Sequence, residues 1–500
     1  MPHAHSNDAD PRLLTGVPGL DSLLDGGLPA NRLHLIEGDP GTGKTTLALQ
    51  FLLEGLRLGE TCLYVTLSET AVELTGVARS HGWSLDGLDV FELARPEMRT
   101  AEEQYTLYHP SEIELGEMVK SVLEITDRRR PKRVVLDSLS EMRLLARDPL
   151  RYRRQILSLK EYFAGRDCTV LMLDDHTAAE NDLQLQSIAH GVLLLEQAPF
   201  EYGRSRRRVR VVKLRGVGVT EGYHDFKIER GGLVVFPQLV PVRSGVRRGG
   251  VVSSGVAELD RLLGGGLTWG TTTLFIGPAG VGKSTLSAQF VTAEGDAPAA
   301  IYLFDERAET FIERCEALGM KMREKVASGR VFLDQIEPGD LSPGEFAHRV
   351  RARVDNDGCR IVLVDSLNGY LNAIPTGHAP LVRMHELAAF LNDRDVATLL
   401  IAAQHGMMGT QMQSPIDVSY LADAVVQLRF FEAEGMVRKA ISVVKKRTGT
   451  HETTIREFAV GPTRVRVGEP LTQFHGVMTG VPQYRGAAGP LLQDDDQRAR

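Results

Sequence analysis

Short apolar runs that end in a glycine or an acidic residue recur along this chain and predict buried strands. The runs at 33–36 and 273–276 each lead into a glycine-rich loop, which an apolar-periodic helix follows. The runs at 133–137 and 361–365 are rich in β-branched residues and end in aspartate. Such strands are typical of a parallel sheet covered by helices on both faces. The pattern therefore predicts an α/β fold in each half of the chain.

The two halves repeat this pattern in register. Lys44 and Lys283 are 239 positions apart, and so are Thr15 and Ser254 in the segments upstream. Solenoid repeats have periods of roughly 20–50 residues, so this spacing indicates duplication of a whole domain. We predict a flexible N-terminus at 1–13, an N-terminal domain at 14–240, a linker at 241–252, a C-terminal domain at 253–468 and a tail at 469–500.

Each glycine loop has the spacing of a phosphate-binding loop. Glycines let successive backbone N–H groups point at phosphate oxygens, the helix N-terminus adds positive dipole, and the lysine reaches the β- and γ-phosphates. A chance match is improbable because the loop occurs twice in register. The ATP-binding residues predicted in the first half are Gly38, Asp39, Pro40, Gly41, Thr42, Gly43, Lys44, Thr45 and Thr46. Those predicted in the second half are Gly277, Pro278, Ala279, Gly280, Val281, Gly282, Lys283, Ser284 and Thr285.

The aspartates that end two of the buried strands are candidate magnesium-handling residues. Asp137 and Asp365 stand where open α/β sheets bind ligands. The loop hydroxyls of Thr45 and Ser284 are the expected partners of the aspartates around Mg²⁺. A strand followed by Asp-Ser is also a common strand-to-turn boundary. Its place downstream of a phosphate loop favours the metal interpretation.

A second apolar strand in each half ends in a polar pair, Ser68-Glu69 in the first half and Asp305-Glu306 in the second. A carboxylate here suits a general base, which hydrolysis and kinase chemistry both need. The alternative is helix N-capping by Ser68 and Asp305, with helices that start near Thr70 and Ala308. The strand end faces the nucleotide crevice, which favours the base for both glutamates.

Near the end of each half, a lysine and an arginine stand two positions apart on a predicted strand. These are Lys213 and Arg215 in the first half, and Lys445 and Arg447 in the second. Alternate strand residues share a face, so each pair points the same way. A solvated basic strand is the better explanation of one such pair on its own, but its repetition after two nucleotide-binding cores favours a role in catalysis.

Composition narrows the class of protein. The chain has 500 residues, of which 42% are hydrophobic, and a net charge of -7. Net acidity gives no support to a general nucleic-acid-binding surface. The four cysteines lack metal-ligand spacing, which predicts buried free thiols and a reducing, cytoplasmic setting. No segment is apolar enough to span a bilayer, so we expect no membrane association.

Taken together, the motifs resemble the KaiC family of RecA-like ATPases from about Leu14 to about Phe458. The resemblance rests on the Thr-Gly-Val-Pro-Gly-Leu-Asp opening at 15–21, both phosphate loops, the acidic pairs and the segment from Lys445 to His451. It implies tandem RecA-like P-loop domains in a homohexamer, with ATP between subunits. It also implies ATPase activity in the first half and autokinase and autophosphatase activity in the second. In the family, residues matching Lys213, Arg215, Lys445, Arg447 and His451 act across the subunit boundary.

The chain departs from the family pattern at three places. Ser68 replaces a glutamate, so Glu69 must act as the base or hydrolysis there is slow. The adjacent family phosphoacceptors align with Ser419 and Tyr420, which leaves Ser419 as the candidate acceptor and favours Tyr420 as a core aromatic. Val219 stands where the second half has His451.

Two other function classes share the same core. A nucleic-acid-dependent motor of the recombinase or helicase kind needs a basic surface, and the arginine-rich run at 204–210 is a candidate, although a solvated hairpin or subunit interface is the favoured interpretation. An ATP-gated scaffold with little catalysis would recruit signalling partners at its ring faces or through its C-terminal tail. Fold alone does not choose among them.

Overall fold

The chain divides into two compact units, Met1–Gln238 and Leu239–Arg500, in this computed structural model. The structure describes residues 11–93, 110–146, 148–175, 184–198, 205–240, 249–293, 297–337, 339, 341–372, 380–404, 419–461, 465–477 and 482–484. Most of the predicted flexible N-terminus, the linker segment at 241–248 and the chain beyond 484 lie outside these residues.

The N-terminal unit alternates strands and helices before it ends in three antiparallel strands. Its elements are β1 Arg12–Leu13, α1 Leu20–Leu23, β2 Leu28–Pro29, β3 Leu33–Gly38, α2 Lys44–Arg57, β4 Cys62–Thr66, α3 Ala71–Ser80, β5 Asp89–Glu92, α4 Pro110–Arg129, β6 Arg133–Asp137, α5 Leu139–Ala146, α6 Pro149–Phe163, β7 Thr169–Asp175, α7 Gln184–Ile188, β8 Gly191–Ala198, β9 Arg206–Leu214, β10 Tyr223–Glu229 and β11 Gly232–Phe236.

The C-terminal unit repeats this order and adds a short hairpin. Its elements are β12 Val251–Val252, α8 Ala257–Leu262, β13 Leu267–Thr268, β14 Thr272–Gly277, α9 Lys283–Ala293, β15 Ala299–Leu303, α10 Ala308–Ala317, α11 Met322–Ala327, β16 Val331–Gln335, α12 Pro343–Asp355, β17 Ile361–Asp365, α13 Leu367–Asn372, α14 Pro380–Asp393, β18 Ala397–Ala403, a 3₁₀ turn Ser419–Leu421, β19 Ala424–Ala433, β20 Met436–Lys446, β21 Arg456–Val460, β22 Val465–Pro470, β23 Phe474–His475 and β24 Gln483–Tyr484.

The two central sheets have the same strand order. The N-terminal sheet runs β5-β4-β6-β7-β3-β8-β9-β10-β11, and the C-terminal sheet runs β16-β15-β17-β18-β14-β19-β20-β21-β22. In each sheet the first six strands are parallel and the last three antiparallel. The phosphate-loop strand lies inside the parallel part. These sheets confirm the predicted fold class.

Apolar side chains alternate between the two faces of each sheet, so each unit has a core on both sides. In the N-terminal sheet, Ile36 and Leu171 pack towards α1 and α2, whereas Leu35 and Val170 pack towards α4, α5 and α6. The C-terminal sheet is covered in the same way. The four cysteines are buried free thiols, and burial raises the pKa of each to about 12.

Each unit contains one of the two tryptophans of the chain. The Trp83 ring lies 4.8 Å from the ring of His81, whose Nε2 is 3.5 Å from Thr46 Oγ1 in the first turn of α2. The Trp269 ring lies under the Arg360 guanidinium at 4.1 Å. Trp83 is thus linked through one side chain to the helix that follows the phosphate loop. Among the described residues, no helix is long and apolar enough to cross a membrane.

Candidate functional site

Both predicted phosphate loops join a central parallel strand to a helix. Gly43 and Gly282, which precede α2 and α9, have φ of 104° and 109°, a conformation that favours glycine. Lys44 Nζ donates to the carbonyls of Gly38 and Asp39 at 2.7 and 3.1 Å. The equivalent Lys283 Nζ donates to Gly277 and Pro278 at 2.8 and 2.7 Å. Both loops therefore wrap around the lysine of the following helix.

The strand-end aspartates lie beside the loop hydroxyls in both units. Thr45 Oγ1 donates to Asp137 Oδ2 at 3.3 Å. In the C-terminal unit Ser284 lies close enough to the Asp365 carboxylate to lower its pKa. Burial raises the pKa of both aspartates, while these hydroxyls oppose the shift. In each unit the structure thus brings together the two residues predicted to hold a metal.

These donor sets suit magnesium. Hydroxyl and carboxylate oxygens are hard ligands, and Mg²⁺ in nucleotide sites uses one or two protein ligands with water and phosphate oxygens completing its shell. Asp365 Oδ2 is buried and has no hydrogen-bond partner among the described residues, so it can accept a cation. Within the described ranges no cluster of three His, Cys, Asp or Glu side chains could hold a metal by itself.

Tyr64 is a contact of the N-terminal site that our sequence reasoning missed. Its hydroxyl donates to Asp137 Oδ2, and burial, followed by the charge of Asp137, raises its pKa well above the usual range. Since Thr66 pairs with Asp137 and Leu303 with Asp365, Ile301 occupies the equivalent place in the C-terminal unit. The signal in the sequence is a tyrosine at the centre of the short buried strand β4.

Asp175 is a second missed residue, at the end of β7. Its Oδ1 lies 2.8 Å from Lys44 Nζ, and Ser140 Oγ donates to its Oδ2 at 3.0 Å. The preceding Asp174 is buried and ion-paired with Arg143, and burial raises its pKa to about 6. Two aspartates at the end of an apolar strand are visible in the sequence. Their contact with the phosphate loop is not.

The glutamates predicted as bases have different surroundings. Glu69 is half-buried, and its Oε2 is buried without a hydrogen-bond partner in the part of the chain that the structure describes. Burial raises the pKa of Glu69, and the charges of Asp137 and Glu73 add to the shift. Glu306 instead accepts from Arg314 at 2.6 Å. The two units therefore hold their candidate bases differently.

The residues that precede these glutamates do not cap the following helices. Thr70 caps α3 through a capping box with Glu73, and Arg307 occupies the N-cap position of α10. Ser68 is exposed, and Asp305 accepts a hydrogen bond from Ser366. The capping alternative for Ser68 and Asp305 is wrong, because each helix begins two residues later than such a cap requires.

The basic residues predicted near the end of each half lie away from the phosphate loop of their own unit. Lys213 and Arg215 donate to the carbonyls of Gln186 and Ser187. The backbone N–H of Arg215 donates to the carbonyl of His190, and the N–H of His190 donates to the carbonyl of Leu33. Arg215 therefore lies level with the start of β3. The loop follows the other end of that strand, roughly 16 Å away at about 3.3 Å per residue. Burial lowers the pKa of Lys213, as do the charges of Arg215 and Lys160.

The C-terminal pair has the same placement. Lys445 Nζ donates to the carbonyls of Ser419 and Ala422 at 2.8 Å each, and Arg447 lies 3.5 Å from Asp423. Asp423 bonds to Thr272, the first residue of the phosphate-loop strand. His451 lies farther along, between Thr450 and Glu452, whose backbones contact the end of α8 and the loop after it.

The predicted phosphoacceptor Ser419 is exposed at the start of the 3₁₀ turn, beside Lys445. Its neighbour Tyr420 is 46% exposed, with its ring 6.2 Å from that of His385. The interpretation of Tyr420 as a core aromatic is wrong, because the turn directs Leu421 into the core instead. Ser419 lies at the sheet end opposite Asp305 and Glu306 of its own unit, beside the start of β19.

The described part of the arginine-rich run forms the first half of β9, an inner strand that pairs antiparallel with β8 and β10. Arg208 donates to Glu196, and the guanidinium groups of Arg208 and Arg210 lie 4.0 and 5.1 Å from the Tyr223 ring. These side chains are half-buried. Arg208 and Arg210 therefore interact with side chains of the neighbouring strands instead of pointing only into solvent.

A phosphate loop before a helix, with an aspartate at the end of a nearby parallel strand, defines a P-loop ATPase domain of the RecA-like class. This chain contains two such domains. The family model described as "ATPase: KaiC" matches residues 13–240 and 252–472. The chain therefore belongs to the KaiC family of ATPases.

Similar proteins span the whole chain at low identity. The circadian clock protein KaiC3 of Synechocystis sp. is 26% identical over 494 residues, which cover 95% of this chain and 95% of that protein. The circadian clock oscillator protein KaiC of Synechococcus elongatus is 24% identical over 487 residues, or 94% of this chain and 92% of that protein. The matched length covers both units.

Proposed function

We propose that the protein is a cytoplasmic, Mg²⁺-dependent ATPase that works as a KaiC-like homohexamer, with hydrolytic capacity in both units. The observation that supports this proposal most directly is the repeated contact pattern around the two loop lysines. In both units the loop carbonyls accept hydrogen bonds from the lysine, and the hydroxyl of the next residue lies beside the strand-end aspartate. Buried free thiols suit the reducing cytoplasm.

Each group has a role in hydrolysis. Loop N–H groups with Lys44 or Lys283 bind the phosphates, and Thr45 with Asp137, or Ser284 with Asp365, would hold Mg²⁺. The metal, when bound, neutralises charge on the phosphates. Glu69 and Glu306 orient the attacking water and take its proton. Glu69 suits this role because its pKa is raised by burial, which makes its carboxylate a stronger base.

The hexamer is supported by the position of the basic pairs. Arginines roughly 16 Å from the phosphate loop of their own unit cannot contact its nucleotide. A neighbouring subunit can present Lys213 and Arg215, or Lys445, Arg447 and His451, to that nucleotide, where positive charge stabilises the transferring phosphoryl group. ATP then lies between subunits, and other signalling proteins can bind at the ring faces or the C-terminal tail.

We also propose that the C-terminal unit phosphorylates Ser419. Ser419 is exposed beside Lys445, on the side that would face the nucleotide of a neighbouring subunit. Its hydroxyl oxygen attacks the γ-phosphorus of that nucleotide, the bond to the ADP oxygen breaks, and Asp305 or Glu306 of the neighbouring subunit accepts the hydroxyl proton. The Arg314 ion pair fixes the direction of the Glu306 carboxylate.

Transfer of phosphate from radiolabelled ATP to the purified protein, with free phosphate followed in the same samples, tests both activities. We expect label on the wild-type protein, none on Ser419→Ala, and little on Glu306→Gln, with free phosphate still released at the N-terminal site. Tyr420→Phe is the matched control, because it removes the adjacent exposed hydroxyl, and it should keep the label.

Other outcomes separate the alternatives. Free phosphate without label would reject the autokinase and leave a plain ATPase. Nucleotide binding with neither product would favour an ATP-gated scaffold. Release of phosphate that depends on added DNA and falls steeply with salt would favour a nucleic-acid motor instead.

A further inference from the structure

The loop lysines of the two units face different groups. Lys44 has a carboxylate partner, Asp175, at 2.8 Å in addition to its two loop carbonyls. Lys283 has only the carbonyls of Gly277 and Pro278, and no described carboxylate lies within ion-pair distance of it. The two sites therefore differ by one negative charge directly at the phosphate-binding lysine.

The sheet register explains this difference. Gly38 pairs with Asp175 across β3 and β7, and Gly277 pairs with Ala403 across β14 and β18. Asp175 and Ala403 thus occupy equivalent positions beside their phosphate loops. Asp175 is held in place by Ser140, which in turn bonds to Ser138 at 2.6 Å. Its side chain is 29% exposed.

We propose that Asp175 is a built-in counter-ion of Lys44 that lowers the affinity of the N-terminal site for nucleotide phosphates and makes that site depend more strongly on Mg²⁺ than the C-terminal site. This inference rests on the proposed function, because it assumes that both loops bind ATP.

Electrostatics gives the reason. The β- and γ-phosphates must compete with Asp175 for the Lys44 ammonium and then lie next to a carboxylate of the same sign. Like charges brought together in a partly buried site repel strongly. A divalent cation bound to the phosphates offsets that repulsion, so its removal weakens the N-terminal site more than the C-terminal one. Ala403 imposes no such repulsion.

Isothermal titration calorimetry with the non-hydrolysable analogue AMP-PNP, with Mg²⁺ or with EDTA, measures each site alone. Lys283→Ala leaves the N-terminal site, and Lys44→Ala leaves the C-terminal site. In the first background, Asp175→Asn should tighten binding by about tenfold in EDTA and by less with Mg²⁺. In the second, Ala403→Asp should weaken binding in EDTA by a similar factor.

The controls separate charge from structure. Asp175→Glu keeps the charge and should bind as weakly as the parent, and Asp175→Asn should leave the C-terminal site unchanged in the Lys44→Ala background. Equal or weaker binding by Asp175→Asn in EDTA would overturn the inference while the proposed function stands. Absence of any AMP-PNP binding in both parent backgrounds would instead reject the proposed function.

Discussion

At the scale of single residues, the two units differ most in what surrounds each equivalent carboxylate. Glu69 has a buried oxygen with no described hydrogen-bond partner, whereas Glu306 is held by Arg314. Asp137 accepts the hydroxyl of Tyr64, and Asp365 has an aliphatic neighbour, Ile301, at that position. The two units have the same backbone fold, but their sites differ in local charge and hydrogen bonding.

The raised pKa of Glu69 predicts the pH dependence of hydrolysis at the N-terminal site. A general base must be ionised, so the rate falls as pH drops through the folded-state pKa of Glu69, which lies above the ordinary 4.5 because of burial. The acid limb should therefore appear at higher pH than for an unperturbed glutamate. Phosphate release by Lys283→Ala, measured against pH, gives this profile.

Glu73→Gln tests the origin of the shift. The charge of Glu73 contributes to the raised pKa of Glu69, and a glutamine keeps the capping box with Thr70. The acid limb should move to lower pH by a small, salt-sensitive amount, since Glu73 is exposed. An acid limb that stays in place in low salt would contradict this contribution.

Lys44 and Thr45 were predictable from local strand–loop–helix order, and Asp137 from an apolar strand that ends in aspartate. Sequence reasoning missed Asp175 and Tyr64 because their contacts run between strands distant in sequence, and only the sheet order brings those strands together. Arg314 was missed for a simpler reason. A single arginine on a helix gives no sign of the carboxylate that it faces.

At the scale of elements, α2 and β6 fit together around a buried arginine. Arg133 opens β6, is fully buried, and donates to the carbonyls of Leu14 and Phe51 at 2.7 and 2.8 Å. Gly55 in α2 leaves room for it, since a Cβ there would lie 2.7 Å from Arg133 Cδ and 2.6 Å from Cys62 Sγ. The close approach positions the strand that ends in Asp137.

Gly55→Ala should therefore destabilise the N-terminal unit by about 1–3 kcal/mol, because the buried neighbours cannot move aside. Gly116→Ala in α4 is the matched control. Its new methyl group meets open space, and the better helix propensity of alanine should stabilise the unit by about 0.5–1 kcal/mol. Chemical denaturation of both variants checks the signs. Equal effects would show that the space around Gly55 can adapt.

The parallel strands were predictable because burial on both faces leaves continuous apolar runs. The antiparallel strands were harder, since β9 and β10 are amphipathic and carry arginine and acidic side chains. The arginine-rich segment belongs to β9, whose valines at 209 and 211 pack into the core between β8 and β10. Partial burial of charged side chains against Tyr223 is not visible in the sequence.

At the scale of the whole molecule, the proposed ring requires that each N-terminal site draw groups from two subunits. The Lys44→Ala variant lacks the loop lysine of the phosphate-binding site. The Arg215→Ala variant lacks the arginine that a subunit presents to the nucleotide of its neighbour. If Arg215 acts on a neighbouring nucleotide, a mixed ring of these two inactive variants contains some complete sites. Each complete site pairs an intact loop with an intact arginine.

Random co-assembly of equal amounts should restore about a quarter of the N-terminal activity. Phosphate release in a Lys283→Ala background, after the variants are dissociated and reassembled together, measures this recovery. The same variants mixed without exchange should stay inactive. Mixed assemblies of full mass that release no phosphate would show that Arg215 acts within its own subunit or not at all.

The placement of Trp83 and Trp269 gives the chain an optical reporter for one half. Any movement of the first turn of α2 reaches the Trp83 indole through Thr46 and His81, whereas Trp269 lies against Arg360 at the far end of β17 from Asp365. In a Trp269→Phe background, tryptophan emission comes from the N-terminal half alone. Nucleotide binding at the N-terminal phosphate loop can then be followed in real time without an added dye, because the C-terminal half contributes no tryptophan emission.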